Sequence, residues 1–216
     1  MTDARFEPLK AKMEEASLDA MAFIPGSNFR RIFGRNFHLN ERPLVIIVPR
    51  TGDPVAVVPK LETASFSGLD FPGPVFYWRD ETGVAEAFTG AADALPQLGT
   101  ARAFGLEAQR MRVFEMLALQ TAFPGAIFAD EHDAISAIRI RKTAKEVALQ
   151  KEAIRISEAA LEATLQEVRV GQTEREIESI LLRQLFAHGA DGLAFEPIVA
   201  AGDNSAEPHA HSRADY

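Results

Sequence analysis

Two short runs rich in β-branched residues, Leu44–Val48 and Val55–Val58, flank the turn-forming cluster Arg50-Thr51-Gly52-Asp53-Pro54. Val and Ile suit the pleated surface of a strand, while Gly, Asp and Pro favour the chain reversal between two strands. The pair reads as a β-hairpin, so the chain must build a sheet around it. Upstream, the apolar run Ala20–Ile24 is closed by Pro25-Gly26 and reads as a strand followed by a loop. Downstream, Val75–Trp78, Ala103–Leu106 and Ile127–Phe128 read as further strands. Helical patterns lie between them. Phe6, Leu9, Met13 and Ala16 share one face of an opening helix that Thr2 or Asp3 could cap. A second stretch runs around Val84–Leu95, and a third, with Val113, Leu117 and Gln120–Ala122, stops before Pro124-Gly125. This alternation predicts an α/β domain: a mixed sheet with flanking helices.

The character changes at about Glu131–Lys142, where strand signals vanish and charge density rises. A domain boundary is placed there, giving units 1–131 and 132–216. Arg139-Ile140-Arg141-Lys142 reads as a solvated helix entry. From Thr143 onward, Val147, Ile154, Leu161, Leu165 and Val168 mark a long amphipathic helix whose other face carries Lys145, Glu146, Lys151, Glu152 and Glu158. Past Gly171, Thr173-Glu174-Arg175-Glu176 has the form of a capping box. The helix it starts buries Ile177, Ile180, Leu181 and Leu185, and Gly189 closes it. Phe195–Ala201 reads as a strand entering the polar segment that ends at His209.

Composition excludes several classes. With 31 acidic against 23 basic residues and a net charge of -8, the chain is poorly suited to nucleic acid, whose affinity comes from neutralised phosphates. Its apolar runs fall well short of the ~20 residues of a spanning helix, so no membrane association is expected. The first residues lack the apolar core of an export signal. The absence of cysteine rules out disulfides and a thiol nucleophile, and a reducing, cytoplasmic location is the simpler expectation. No phosphate-binding glycine motif appears.

The sharpest local feature is His209-Ala210-His211. On an extended strand residues i and i+2 point to one side, so the two imidazoles could share a ligand or metal; on a loop they are simply solvated. Asp215 could add a ligand, but HAHSRAD lacks a His-x-His-x-Asp-His arrangement, and a site built from this tail alone is discounted. His188 reads as a helix-end cap. His132 and His38 read as surface or interface residues, and Trp78 with the phenylalanines as core.

Several motifs together resemble one known family. They are Arg141-Lys142 with Glu146, Gly171-x-Thr173-Glu174, Gly189 with Gly192, and Gly202-x-Asn204-Ser205-Ala206 followed by Pro208-His209. In this order the second half resembles the start of the pita-bread fold, an α+β domain shared by creatinase, aminopeptidase P and prolidase. "LDAMAFIPGSNFRRIFGRNF" and "ERPLVIIVPRTGDPVAVVP" are similar to the creatinase-type N-terminal domain. The resemblance implies the N-terminal portion of an Xaa-Pro dipeptidase or aminopeptidase acting on small peptides. It makes His209 the catalytic histidine, with His209 and His211 touching substrate. It implies two divalent ions, manganese, cobalt or zinc, in the intact parent, on carboxylate and histidine ligands later than Tyr216. No metal ligand is expected within these residues, and the chain alone is expected to be inactive.

The same family holds non-peptidases, so two alternatives stand beside the peptidase. One is a metal-free C–N hydrolase of the creatinase type with His209 as base. The other is a non-catalytic module for peptide binding or dimerisation. The resemblance also implies a homodimer, and part of a sheet domain is expected to leave apolar surface uncovered.

Overall fold

The computed structural model describes residues 4–99 and 102–215; the expected cap at Thr2 or Asp3 lies outside them. The chain forms two compact units, Met1–Arg141 and Lys142–Tyr216.

The first unit is built on α1 (Glu7–Glu15), β1 (Ala20–Phe23), α2 (Ser27–Phe33), β2 (Val45–Pro49), β3 (Val55–Pro59), α3 (Thr63–Ser67), β4 (Val75–Trp78), α4 (Ala85–Asp93), β5 (Ala103–Leu106), α5 (Val113–Ala122), β6 (Ile127–Asp130) and α6 (His132–Ile140). Six strands form one mixed sheet in the order β4-β3-β2-β1-β5-β6. The hairpin expectation holds: β2 pairs antiparallel with β3, Ile46 opposite Ala56. β1 pairs antiparallel with β2 and parallel with β5. The outer pairs β3–β4 and β5–β6 are parallel.

Strand alternation sends side chains to opposite faces, and each face has its own core. Met21 and Phe23 pack with Leu9, Met13, Phe29, Phe33 and Ile135, while Ala20 and Ala22 pack with Phe88, Ala91 and Leu119. Trp78 is buried, with its indole N–H donating to Pro43 O at 3.1 Å. Within the first core, Phe33 meets Phe29, Phe23 and Phe6 at ring-centroid distances of 4.7, 5.8 and 6.0 Å.

Three readings of this unit change. The segment after Pro25-Gly26 is the helix α2, not a loop, and buries Asn28, Phe29, Ile32 and Phe33. The sequence's change of character begins near residue 131, yet α6 packs with the first unit because Ile135 is fully buried in its core. Asn28 Nδ2 donates to Glu107 Oε1 at 2.7 Å and to Ser136 Oγ at 3.2 Å, and Arg139 Nε donates to Asn28 Oδ1. Arg139 thus reaches the buried Asn28 from an exposed position in the last turn of α6, so the run 139–142 is solvated as expected but closes one helix before the next begins. His132 is half-buried, its Nε2 3.4 Å from Ser136 Oγ.

The second unit contains α7 (Ala144–Glu167) and α8 (Glu174–Ala187). Both start in capping boxes, where a threonine hydroxyl and a glutamate carboxylate satisfy each other's backbone N–H groups. Thr143 pairs with Glu146 in this way, and Thr173 with Glu176. At the end of α8, Ala190 N donates to Leu185 O and Gly189 N to Phe186 O at 3.0 and 3.2 Å. This is a Schellman closure, with Gly189 at φ 103° as its left-handed residue. His188 adds its ring, Nδ1 lying 2.9 Å from Gln184 O.

The apolar stripe of α7 is largely open to solvent: Ile154, Leu161 and Leu165 are 50–60% exposed. Small residues, Ala160 and Thr164, take the buried positions of α7. The α8 stripe of Ile177, Ile180, Leu181 and Leu185 is half-buried. Phe195–Ala201 is not a strand, because a strand needs a neighbour's backbone groups and no strand lies in the second unit among the described residues. Among the described residues no helix is long and apolar enough to cross a membrane.

Candidate functional site

The segment bearing the two histidines is organised by one carboxylate. Thr173 caps α8 and Glu176 completes the box, which leaves Glu174, in the first turn, available for other donors. Glu174 is buried, and the chain returns to it from three places. Ala201 N donates to Oε1 at 2.6 Å, while Asn204 Nδ2 and Arg213 N donate to Oε2 at 2.6 and 2.8 Å. Asn204, itself buried, also donates to His211 O at 3.1 Å. Arg175 N donates to Arg213 O at 3.1 Å, and Ser212 Oγ to Val199 O at 3.2 Å.

These bonds set the charge state of Glu174. The Arg213 and Ala201 N–H groups, then the Asn204 amide and the charge of Arg213, hold its carboxyl below the usual glutamate range, against the opposing effect of burial. It is therefore an ionised anchor at neutral pH. The loop between its contacts begins with a short 3-10 turn, Gly202–Ala206. A reversal at Pro208-His209 follows, closed by Ala210 N donating to Glu207 O at 3.2 Å.

His209 sits on that reversal and is exposed; His211 and Asp215 are exposed too. Since residue 209 lies in a turn, the two-residue period of a strand does not apply, and the same-side argument for His209 and His211 fails. Asn204 fixes the backbone of His211, not its ring. Among the described residues no three His, Asp or Glu side chains gather where a metal could be held. The described residues thus do not fit a metal pair, and no chemical step is derived through one.

Sequence reasoning missed the role of Glu174. An acidic residue in a first turn is ordinarily read as complementing the helix dipole. The available signal was that Thr173 and Glu176 already complete the capping box, so Glu174 is not needed there.

Comparison with known proteins covers both units. Residues 5–141 match the family described as Creatinase/Prolidase N-terminal domain, and residues 148–215 match Metallopeptidase family M24. A protein of Mycobacterium tuberculosis described as a probable dipeptidase PepE is 26% identical over 205 residues, covering 92% of this chain and 52% of the relative. The crystal structure of a prolidase from Thermococcus sibiricus superposes with a TM-score of 0.87 at 26% identity, over 99% of this chain and 58% of that one. The N-terminal domain of an X-Pro dipeptidase from Streptococcus pyogenes shares the fold, with a TM-score of 0.53 at 23% identity, over 63% of this chain and 99% of that one. The chain spans about half the length, 46–56%, of the curated relatives it matches.

Proposed function

We propose that this chain, which belongs to the creatinase/prolidase family through its N-terminal domain, forms the N-terminal part of an Xaa-Pro peptidase that hydrolyses the bond before proline in small peptides. The observation that carries the reading is the match of both units, in order, to the two modules of that family. The likeness to a prolidase over 99% of the chain supports it. Within the chain, His209 is the catalytic candidate. Its exposed imidazole, on a turn held at both ends through Glu174, is placed to bind substrate or move a proton at a ring nitrogen. His211 is the second substrate contact.

In such a peptidase divalent ions, when bound, would supply an activated water and would stabilise the developing oxyanion. The reading draws those ligands from residues outside 1–216. Incubating the intact protein with Xaa-Pro dipeptides and manganese should release free proline. No release with manganese, cobalt or zinc would overturn the proposal.

The same reading makes the intact protein a cytoplasmic homodimer. The first unit offers an interface on α5, where Phe114 and Leu117 are 52 and 56% exposed along one groove. Apolar surface of this kind ordinarily meets a partner. Light scattering should give the mass of two subunits; the mass of one would reject the dimer.

A further inference from the structure

We propose that Glu174 is the positioning residue for the histidine loop: its carboxylate gathers Ala201, Asn204 and Arg213 and thereby sets where His209 stands. The partners lie 27, 30 and 39 residues away in sequence, and all close on one side chain. A carboxylate is acceptor-only, and its hydrogen bonds are shorter and about twice as strong as neutral ones. Every donor is matched. Oε1 takes one N–H, Oε2 takes an N–H and an amide, and Asn204 uses its other hydrogen to hold His211 O. Both ends of the loop are thus fixed to the first turn of α8, and the reversal bearing the exposed His209 lies between them.

The chemistry tells this role apart from simple helix capping. Glutamine at 174 has the same shape but replaces one oxygen with a donor, which must face either the Ala201 N–H or both the Asn204 amide and the Arg213 N–H. Aspartate keeps two acceptor oxygens on a shorter stem. Glu176 serves the same helix end without touching the loop, so Glu176→Ala damages the cap and spares the anchor.

The experiment compares these variants in the intact protein by amide hydrogen exchange and by Xaa-Pro hydrolysis. Glu174→Gln should speed exchange over residues 199–213 about tenfold or more and leave residues 177–187 unchanged. It should lower kcat roughly 10–100-fold with KM within about threefold, as expected when a catalytic group is misplaced by about an ångström. Glu174→Asp should recover most of both losses. Glu176→Ala should speed exchange only in the first turn of α8 and keep kcat within about threefold. The proposal is overturned if Glu174→Gln leaves the 199–213 exchange within about twofold of wild type, or if Glu176→Ala lowers kcat as much. Should Glu174→Gln fail to fold, Asn204→Ala, which removes one of the three donors, is read by the same criteria. The kinetic arm rests on the peptidase reading. If wild type releases no proline, that reading fails, and the exchange arm alone decides whether Glu174 holds the loop.

Discussion

Replacing His209 with alanine is expected to lower kcat for Xaa-Pro hydrolysis by the intact protein about 10²–10⁴-fold, the range lost when a general acid or base is removed. The structure allows this effect to be separated from folding. His209 is exposed on a turn, and its ring makes no hydrogen bond among the described residues. Surface substitutions of this kind change stability by no more than about 0.5 kcal/mol. The urea midpoint and the exchange of residues 199–213 should therefore match wild type while turnover collapses. This is the reverse of Glu174→Gln, which should loosen the loop first and slow turnover as a result. Steady-state kinetics beside a denaturation curve check the point. A kcat within about twofold of wild type would remove His209 from the chemistry.

Phe33→Ala is expected to cost the first unit about 3–5 kcal/mol, the range for deleting a large aromatic side chain from a packed core. Phe33 is 4% exposed and is the ring at which Phe6, Phe23 and Phe29 converge. Its loss leaves a cavity bounded by three stiff rings, on the turn before α1, on α2 and on β1, that have little freedom to collapse inward. The pairwise ring contacts add about 0.5–1.5 kcal/mol each beyond area alone. Since a domain's whole net stability is about 5–15 kcal/mol, this one change removes a large share. The chain holds a single tryptophan. Trp78 lies in the first unit, so its fluorescence during urea unfolding reports that unit alone. A loss below about 1 kcal/mol would mean that the neighbouring rings repack.

The hairpin, the other strands of the sheet and the capping box of α8 were legible in the sequence because each rests on local chemistry. Val and Ile runs around Gly52 and Pro54 specify β2 and β3 without reference to anything distant, and Thr173 with Glu176 specifies a helix start by the same local logic. The misses are non-local. Pro25-Gly26 carries a strong turn signal that hides the seven-residue helix following it, whose Phe29, Ile32 and Phe33 show their purpose only against β1 and α1. The spacing of Val147, Ile154 and Leu161 correctly marks a helix, but spacing does not say what covers that face. Phe195–Ala201 has strand-forming residues and, among the described residues, no neighbouring strand.

Of the candidate site, the sequence offered His209 and His211 as residue types. It gave no account of what holds them, because Glu174 precedes its partners by 27–39 residues and no periodicity links them. The Asn28–Glu107 contact, 79 residues apart, was hidden for the same reason.

The position of β1 in the sheet has a consequence for synthesis. This strand is among the earliest made, yet one of its two neighbours, β5, pairs Phe104 with Ala20. At roughly 5–20 residues per second, a ribosome leaves that flank of the nascent sheet open for about 4–17 s before its partner can arrive. Until then Met21 and Phe23 can be sheltered only by what precedes residue 103, so α1, α2 and the β2–β3 hairpin must serve as the temporary cover for the growing chain.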